Sequence, residues 1–215
     1  MVGRISSPLY VGRLPELERL GEAVAGVHDG AKLVVVAGDA GIGKTRLVAQ
    51  FLARFAPDEI RILAGGCLTL PGGGLPYAPL AEALRRFARD TQPAELGRLL
   101  GAARPELARL VPDLDPTWVA SPDRDARGDR ADQARLFELV IGLIGRIGAE
   151  APVVFVIEDV QWADDATRDL LTYLARNLGR ERATLILTVR SDDPAVERVE
   201  PWLADLVQHT AAERI

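Results

Sequence analysis

The chain has 215 residues, of which 48% are hydrophobic, and carries a formal net charge of −5 with an isoelectric point near 5.2. This size and composition exclude a disordered tail and predict one α/β-sized domain with a full core. The acidic balance excludes general attraction to nucleic acid phosphate, so any DNA contact would need another domain.

The first half of the chain predicts a helix, a strand, a helix, a strand and a helix in that order. The first strand segment is a continuous apolar, β-branched run and the second begins another strand-to-helix step, whereas the helical segments repeat apolar residues every three or four positions. A loop rich in glycine and proline separates the second strand from the third helix. We place these elements at residues 14–28, 32–38, 43–56, 60–68 and 79–90.

Residues 91–130 are expected to form a helical and loop insertion within the domain. Four prolines divide its first part into short helical pieces, and charges of both signs in its last part favour a solvated loop. The chain then predicts a long helix, a buried strand, a helix and a fourth strand. These elements are placed at residues 131–150, 152–159, 164–179 and 183–190.

Alternation of strands and helices predicts an α/β fold with a mostly parallel sheet covered by helices on both faces, which makes three layers. In such sheets, ligands lie beyond the carboxyl ends of the strands. The segments that follow the four predicted strands contain glycines, a lysine, two adjacent carboxylates and an arginine. The residue types needed for chemistry are therefore expected at one edge of the sheet.

The segment after the first strand matches the phosphate-binding pattern G-x-x-x-x-G-K-[ST] through Gly38, Gly43, Lys44 and Thr45. Glycines allow backbone N–H groups to turn towards phosphate oxygens, and the following helix directs its positive end to the same place. Lys44 is one of only two lysines in the chain and supplies a compact charge for the outer phosphates. The Thr45 hydroxyl suits Mg²⁺. This loop therefore predicts binding of ATP or ADP with Mg²⁺.

The third strand ends in Glu158 and Asp159, two adjacent carboxylates. One of them could hold the Mg²⁺ shell while the other positions or deprotonates a water for attack on the terminal phosphate. Arg190 ends the fourth strand, where it could reach a γ-phosphate, although a salt bridge to Asp192 or Asp193 is an alternative. Glu158, Asp159 and Arg190 are the predicted catalytic residues, and Thr45 joins the two acids as a predicted metal ligand.

Six segments follow one another along the chain in a characteristic order: YVGRLPELERL, VVVAGDAGIGKTRLV, LPYAPLAEAL, ARLFELV, PVVFVIEDVQWADDATRDLLTYLAR and LILTVRSDD. Together they resemble the ATPase domain of the signal-transduction (STAND-type) AAA-like NTPases, and in particular the large ATP-binding LuxR-type regulators of bacteria. The resemblance covers about residues 9 to 192. It implies a three-layer P-loop NTPase fold of the AAA type.

Carried onto this sequence, the resemblance implies a role for each site residue. Glu158 would be the metal-side acid, Asp159 the water-side acid and Arg190 the sensor of the terminal phosphate. Many relatives have Asp at the position of Glu158, so the division of labour between the two acids stays open. Residues 11–13 would lie near the adenine. The predicted nucleotide-binding residues are Val11, Gly12, Arg13, Gly38, Asp39, Ala40, Gly41, Ile42, Gly43, Lys44, Thr45 and Arg46.

The resemblance also implies segments beyond this chain. The family's sheet has a fifth strand, followed by a helical lid and usually a DNA-binding domain. This chain stops about where the fifth strand would begin, so we expect residues 1–215 to be the N-terminal part of a longer protein. As a consequence, we expect weak ATP hydrolysis by this chain alone.

The predicted function is an ATP-binding, slowly hydrolysing switch domain of a bacterial signal-transduction or transcriptional regulator. Three alternatives stay open: a nucleotide-sensing module without turnover, a small-molecule kinase and a DNA loader. We expect a cytoplasmic protein with possible self-association and no membrane partner, because no signal peptide or membrane span is apparent. The single cysteine, Cys67, is expected to be a buried small hydrophobe without chemistry.

Overall fold

The computed structural model describes residues 12–56, 58–68, 75–115, 117, 130–210 and 212–215. Within them, a single sheet carries helices on both of its faces, which confirms the predicted α/β class. The described strands are β1 (Lys32–Gly38), β2 (Arg61–Gly66), β3 (Val153–Glu158), β4 (Ala183–Arg190) and β5 (Glu213–Arg214).

The strands lie in the order β2-β3-β4-β1-β5, and every neighbouring pair is parallel. β3 and β4 lie inside the sheet and are buried almost throughout, as their apolar sequences require. Gly38 is in register with Arg190, and Gly66 is in register with Glu158. The carboxyl ends of the four long strands therefore meet at one edge, as the sequence predicts.

The described helices lie close to their predicted positions, although several end earlier, the first two by three and four residues. The first ends at Ala25 and continues as a 3-10 turn, and the second ends at Leu52. Phe55 lies beyond the end of this helix but packs edge-on against Phe51, with ring centroids 5.2 Å apart. The helical spacing of apolar residues thus continues past the helix, and the sequence predicts a helix that is too long. The described helices are α1 (Leu14–Ala25), α2 (Lys44–Leu52), α3 (Ala78–Asp90), α4 (Pro93–Leu100), α5 (Arg104–Leu110), α6 (Arg130–Gly148), α7 (Asp165–Asn177) and α8 (Val196–Thr210).

The sheet separates two hydrophobic cores, and β1 supplies residues to both. Val34 and Val36 belong to the core shared with α1 and α2, whereas Leu33 and Val35 belong to the larger core under α3 to α8. This division follows from the two-residue period of a strand. Burial on both faces fixes the register of β1 and hence the position of the glycine loop that follows it.

The contact between β2 and α3 depends on a glycine. A Cβ atom on Gly65 would lie 2.0 Å from the carbonyl oxygen of Pro79, at the start of α3. Only a residue without a side chain allows the helix backbone to come this close. Gly65 therefore determines how α3 packs against this strand.

The predicted insertion at 91–130 is helical as far as the structure describes it. α4, α5 and two 3-10 turns occupy residues 93–114, and they place Leu99, Leu100 and Leu107 in the larger core. Most of the predicted solvated loop at 121–132 lies outside the described residues, while Arg130–Asp132 already belong to α6. Whether 91–130 is an insertion within a single domain stays a prediction.

The end of the chain differs from our expectation. Glu213 and Arg214 already form β5 against β1, and Ile215 continues the pairing by donating its N–H to the Val35 carbonyl at 2.8 Å. The prediction that the chain stops before the fifth strand is therefore wrong, because two charged residues give no strand signal by themselves. None of the described helices has the length and apolar character needed to span a membrane.

Candidate nucleotide-binding site

The glycine loop at 38–45 connects β1 directly to α2. Gly41 and Gly43 have φ angles of 78° and 96°, in the region that favours glycine, and α2 begins at Lys44. The first N–H groups of a helix have no partner within it and carry a partial positive charge. The loop thus places backbone donors and a helix N-terminus at the ligand edge of the sheet.

Lys44 is folded into this loop. Only 7% of the residue is exposed, and Nζ donates to the carbonyl oxygens of Gly38 at 2.7 Å and Asp39 at 2.9 Å. Burial lowers the pKa of Lys44, and the nearby Asp159 carboxylate opposes this shift. A cation held in this way is available to a phosphate at the mouth of the loop.

Two further predicted residues lie in the first turn of α2. Thr45 is exposed, so its hydroxyl is accessible beside the loop, and Arg46 follows it.

Gly12 and Arg13 precede α1 with positive φ angles of 92° and 61°. Arg13 Nη2 donates to the Ile42 carbonyl at 2.6 Å. Arg13 therefore contacts the glycine loop, whereas Val11 lies outside the described residues.

Asp159 lies just beyond β3 in a left-handed conformation, with φ of 56°. Its N–H donates to Thr188 Oγ1 of β4 at 3.0 Å. Its two carboxylate oxygens accept hydrogen bonds from Arg190 Nε at 3.0 Å and Nη2 at 3.2 Å. The alternative partners considered for Arg190, Asp192 and Asp193, are thus not the ones its side chain bonds to.

Gln161 is a site residue that our sequence reasoning missed. It is only 3% exposed, and its Nε2 donates to Asp159 Oδ1 at 3.2 Å while its Oε1 accepts the Arg190 N–H at 3.1 Å. The Trp162 ring lies 4.8 Å from Arg190 Cζ, within the range of a cation–π contact. A polar residue between a buried strand and a helix is the only signal in the sequence, and it does not identify these partners.

Glu158 has different charged neighbours from Asp159. Burial raises the pKa of Glu158, and the Asp159 and Glu82 carboxylates add to the increase while Arg86 opposes it. Lys44, in contrast, is influenced by Asp159, Arg190 and Asp192. The structure therefore brings Asp159 and Arg190 close to Lys44 and places Glu158 in a more acidic setting beside α3.

Asp164 and Cys67 have structural roles. Asp164 caps α7, since its carboxylate accepts the Thr167 N–H at 3.0 Å. Cys67 is buried, as predicted, and burial raises the pKa of its thiol to about 12. Neither residue shows an arrangement that would give it chemistry of its own.

The residues at this edge fit a magnesium nucleotide. A threonine hydroxyl and carboxylates are the hard oxygen donors that Mg²⁺ prefers. Thr45 and one or both of the acids Glu158 and Asp159 would hold it. Burial and the neighbouring carboxylates raise the pKa of Glu158, and a dication would offset that negative charge. In the described part of the chain, no group of three or more His, Cys, Asp and Glu residues could hold a metal. Mg²⁺ in nucleotide sites commonly completes its coordination with phosphate oxygens and waters.

The structure also has a groove that lies away from the glycine loop. It is a groove of about 490 Å³ between α5, α6 and the start of α3. Tyr77 lines it and packs edge-on against Phe137 at 6.2 Å. The described lining of the groove carries charges of both signs, Glu106, Arg109, Asp132 and Arg135, and contains no glycine.

Known proteins resemble the chain at three levels. The AAA ATPase domain family matches residues 10–188. A protein of Rhizobium meliloti (strain 1021), described only as uncharacterized, is 29% identical over 87% of this chain. The chain spans 19% of that relative's length.

Among solved structures, the fold is distantly similar to a DNA polymerase III gamma subunit-related protein of Thermotoga maritima. That similarity covers 93% of this chain and 44% of the other at 8% identity, with a TM-score of 0.40. Drosophila ORC bound to DNA is 9% identical over 89% of this chain and 86% of the other, with a TM-score of 0.42. The family assignment rests on the domain match, which covers most of the chain: this protein belongs to the AAA ATPase domain family.

Proposed function

We propose that this domain binds MgATP through the loop at 38–45 and hydrolyses it slowly, as the nucleotide-dependent switch of a bacterial regulator. One observation carries the proposal. The buried Lys44 of the glycine loop lies within electrostatic reach of Asp159 and Arg190, at the ends of two neighbouring strands. A phosphate-binding cation, a carboxylate and a second cation at one sheet edge are the groups that phosphoryl transfer requires.

In binding, the backbone N–H groups of residues 40–45 and the Lys44 ammonium would hold the phosphates. Arg13 supports the loop by its bond to the Ile42 carbonyl, and we keep the adenine contact of residues 11–13 as a proposal. Thr45 and Glu158 would hold Mg²⁺, which supplies charge neutralisation of the phosphates when bound. These roles predict that changes in the loop weaken nucleotide affinity and that a change of Glu158 weakens the Mg²⁺ dependence of binding.

In hydrolysis, Asp159 would position or deprotonate the attacking water. Arg190 donates to both of its oxygens and Gln161 donates to Oδ1, so Oδ2 keeps a lone pair for the water. Arg190 would contact the terminal phosphate only when this ion pair opens. The need to break a two-point ion pair for that contact supports slow turnover.

The same ion pair also favours the second candidate, a nucleotide-sensing module with negligible turnover. If the Asp159–Arg190 pair persists with nucleotide bound, the domain binds ATP without hydrolysing it. A single-turnover phosphate-release assay distinguishes the two candidates. Phosphate release that disappears in Asp159→Asn supports the switch with hydrolysis, and release indistinguishable from Lys44→Ala supports the sensing module.

The wider role is inferred from the resemblance to STAND-type regulators. The domain would work within a longer regulator in which nucleotide state controls conformation and self-association, and in which any DNA contact comes from another domain. This chain spans only 19% of the length of the Rhizobium meliloti relative, which is compatible with a domain that works within a longer protein. Sedimentation with ADP and with a non-hydrolysable ATP analogue tests nucleotide-dependent self-association.

Calorimetry tests the binding step directly. We expect MgATP and MgADP to bind the wild-type domain and to lose measurable affinity for Lys44→Ala, because the ammonium serves the ligand and not the core. Thermal unfolding of both proteins in the absence of nucleotide shows whether the variant keeps its fold. Equal nucleotide affinities in the two folded proteins would show that the loop does not bind the nucleotide.

A further inference from the structure

The glycine loop has an acidic contact from another part of the chain. The Ala40 N–H donates to Asp192 Oδ1 at 2.8 Å. Asp192 lies two residues beyond β4, and this segment runs alongside the loop because Gly38 and Arg190 are in register. The Ser191 N–H donates to the Gly38 carbonyl at 3.1 Å, which joins the two segments next to the contact.

The contact is of the type that a phosphate would make. Amide N–H groups of a glycine loop bind anions, and the Asp192 carboxylate is an anion supplied by the chain itself. Asp192 also acts on Lys44, where its charge opposes the fall in the pKa of the ammonium that burial produces. Asp192 therefore interacts with both kinds of phosphate-binding group in the loop, a backbone donor and the lysine.

The neighbouring Asp193 has a different role, which separates the two residues. Its side chain accepts the Ala195 N–H at 2.8 Å, and its carbonyl accepts the Val196 N–H at 2.9 Å. Asp193 thus shapes the turn into α8 within its own segment. Asp192 is exposed, and its hydrogen bond to Ala40 reaches across 152 positions of sequence to the loop.

We infer that Asp192 competes with nucleotide phosphate for the glycine loop and thereby couples occupation of the loop to the segment that leads into α8. This inference rests on the proposed function and adds a regulatory contact to that site. A phosphate that uses the Ala40 N–H has to replace the carboxylate, and two anions cannot share one donor without repulsion. Displacement of Asp192 moves a segment that starts α8 only four residues later.

Competition by Asp192 predicts in which direction nucleotide affinity changes and how the change depends on charge. Removing the carboxylate charge increases nucleotide affinity, since binding no longer has to break a charge-assisted hydrogen bond. The gain is larger for ATP than for ADP, because the additional phosphate carries more negative charge towards Asp192. Salt screens the repulsion, so the difference between variant and wild type decreases from low to high ionic strength.

The experiment compares wild type, Asp192→Asn, Asp192→Ala and Asp193→Asn by calorimetry with MgADP and a non-hydrolysable MgATP analogue. We expect both Asp192 variants to bind the ATP analogue about tenfold more tightly than wild type, which corresponds to about 1.4 kcal/mol. Asp193→Asn removes the same charge one residue away and is expected to stay within about twofold of wild type. Thermal unfolding without nucleotide verifies that each variant is folded.

The outcomes separate the two proposals. If wild type binds nucleotide through Lys44 but the Asp192 variants bind with unchanged or weaker affinity, the competition is disproved and the proposed function stands. If Asp193→Asn gains as much affinity as Asp192→Asn, general charge and not the Ala40 contact is responsible, which also disproves the competition. If wild type binds no nucleotide, the proposed function is wrong and this inference falls with it.

Discussion

Asp159 and Arg190 form a two-point ion pair between the ends of β3 and β4, with Nε and Nη2 of the arginine 3.0 and 3.2 Å from the two carboxylate oxygens. The side chains are 23% and 35% exposed, so the pair is partly shielded from water. The pair raises the pKa of Arg190, which ensures that the arginine is charged. The acid and the cation proposed for hydrolysis therefore hold each other in place.

The strength of this pair can be measured by a double-mutant cycle. We expect Asp159→Asn and Arg190→Gln to show a coupling free energy of about 1 kcal/mol in urea unfolding, since the pair is bidentate but not fully buried. The single and double variants together give the coupling. A value indistinguishable from zero would mean that the pair makes no net contribution to stability.

The two acids are expected to differ when each is neutralised. Asp159→Asn should retain MgATP binding and slow hydrolysis, whereas Glu158→Gln should weaken the Mg²⁺ dependence of binding. Their charged neighbours differ, because Glu158 is the last residue of β3 whereas Asp159 leaves the strand in a left-handed conformation. Metal titration and a single-turnover assay on both variants test this assignment. The reverse pattern would exchange the two roles.

Gln161 is expected to act as a positioning residue for Asp159 and Arg190. Gln161→Ala leaves the Arg190 N–H without its side-chain acceptor and should lower the free energy of unfolding by about 1–3 kcal/mol. Gln161→Glu keeps this acceptor but replaces the donor to Asp159 by a carboxylate, which should lower kcat more than it changes KM. Steady-state kinetics with both variants test this. A change in KM with an unchanged kcat would show that Gln161 affects nucleotide binding and not the positioning of Asp159 for hydrolysis.

Gly65 and Gly97 offer a matched pair for the packing of α3. Gly65→Ala should destabilise the domain by about 2–4 kcal/mol, because its Cβ would meet the Pro79 carbonyl oxygen at 2.0 Å. Gly97 lies within α4, and a Cβ atom added there would have no neighbouring atom within 4 Å, so Gly97→Ala should stabilise by about 0.5–1 kcal/mol. Urea unfolding gives both values. Similar effects at the two positions would contradict the close contact.

The thiol of Cys67 should react very slowly in the native protein. Burial raises its pKa to about 12, so the reactive thiolate is scarce at about pH 8, and only 4% of the residue is exposed. Labelling with a thiol reagent at that pH should proceed only through unfolding and become fast in guanidinium chloride. Rapid native labelling would show that the end of β2 opens readily.

The sequence was sufficient for features that depend on local pattern. The apolar runs of β3 and β4 predicted both strands to within a residue, and the phosphate-binding pattern located the turn into α2. Features that depend on contacts across the chain were not predictable. The ion pair of Arg190 depends on the left-handed backbone of Asp159, and the role of Gln161 depends on its burial. The strand β5 forms because its residues pair with β1.

The position of β1 in the sheet has a consequence for folding on the ribosome. β1 lies between β4 and β5, although more than 140 residues separate it from β4 in the sequence. Contacts of such long sequence separation form slowly, because the intervening chain must first be brought together. The phosphate loop is encoded early, but Asp159, Arg190 and Asp192 reach it only after most of the chain has been synthesised. We therefore expect nascent chains that end before β4 to contain the complete loop sequence and no assembled site.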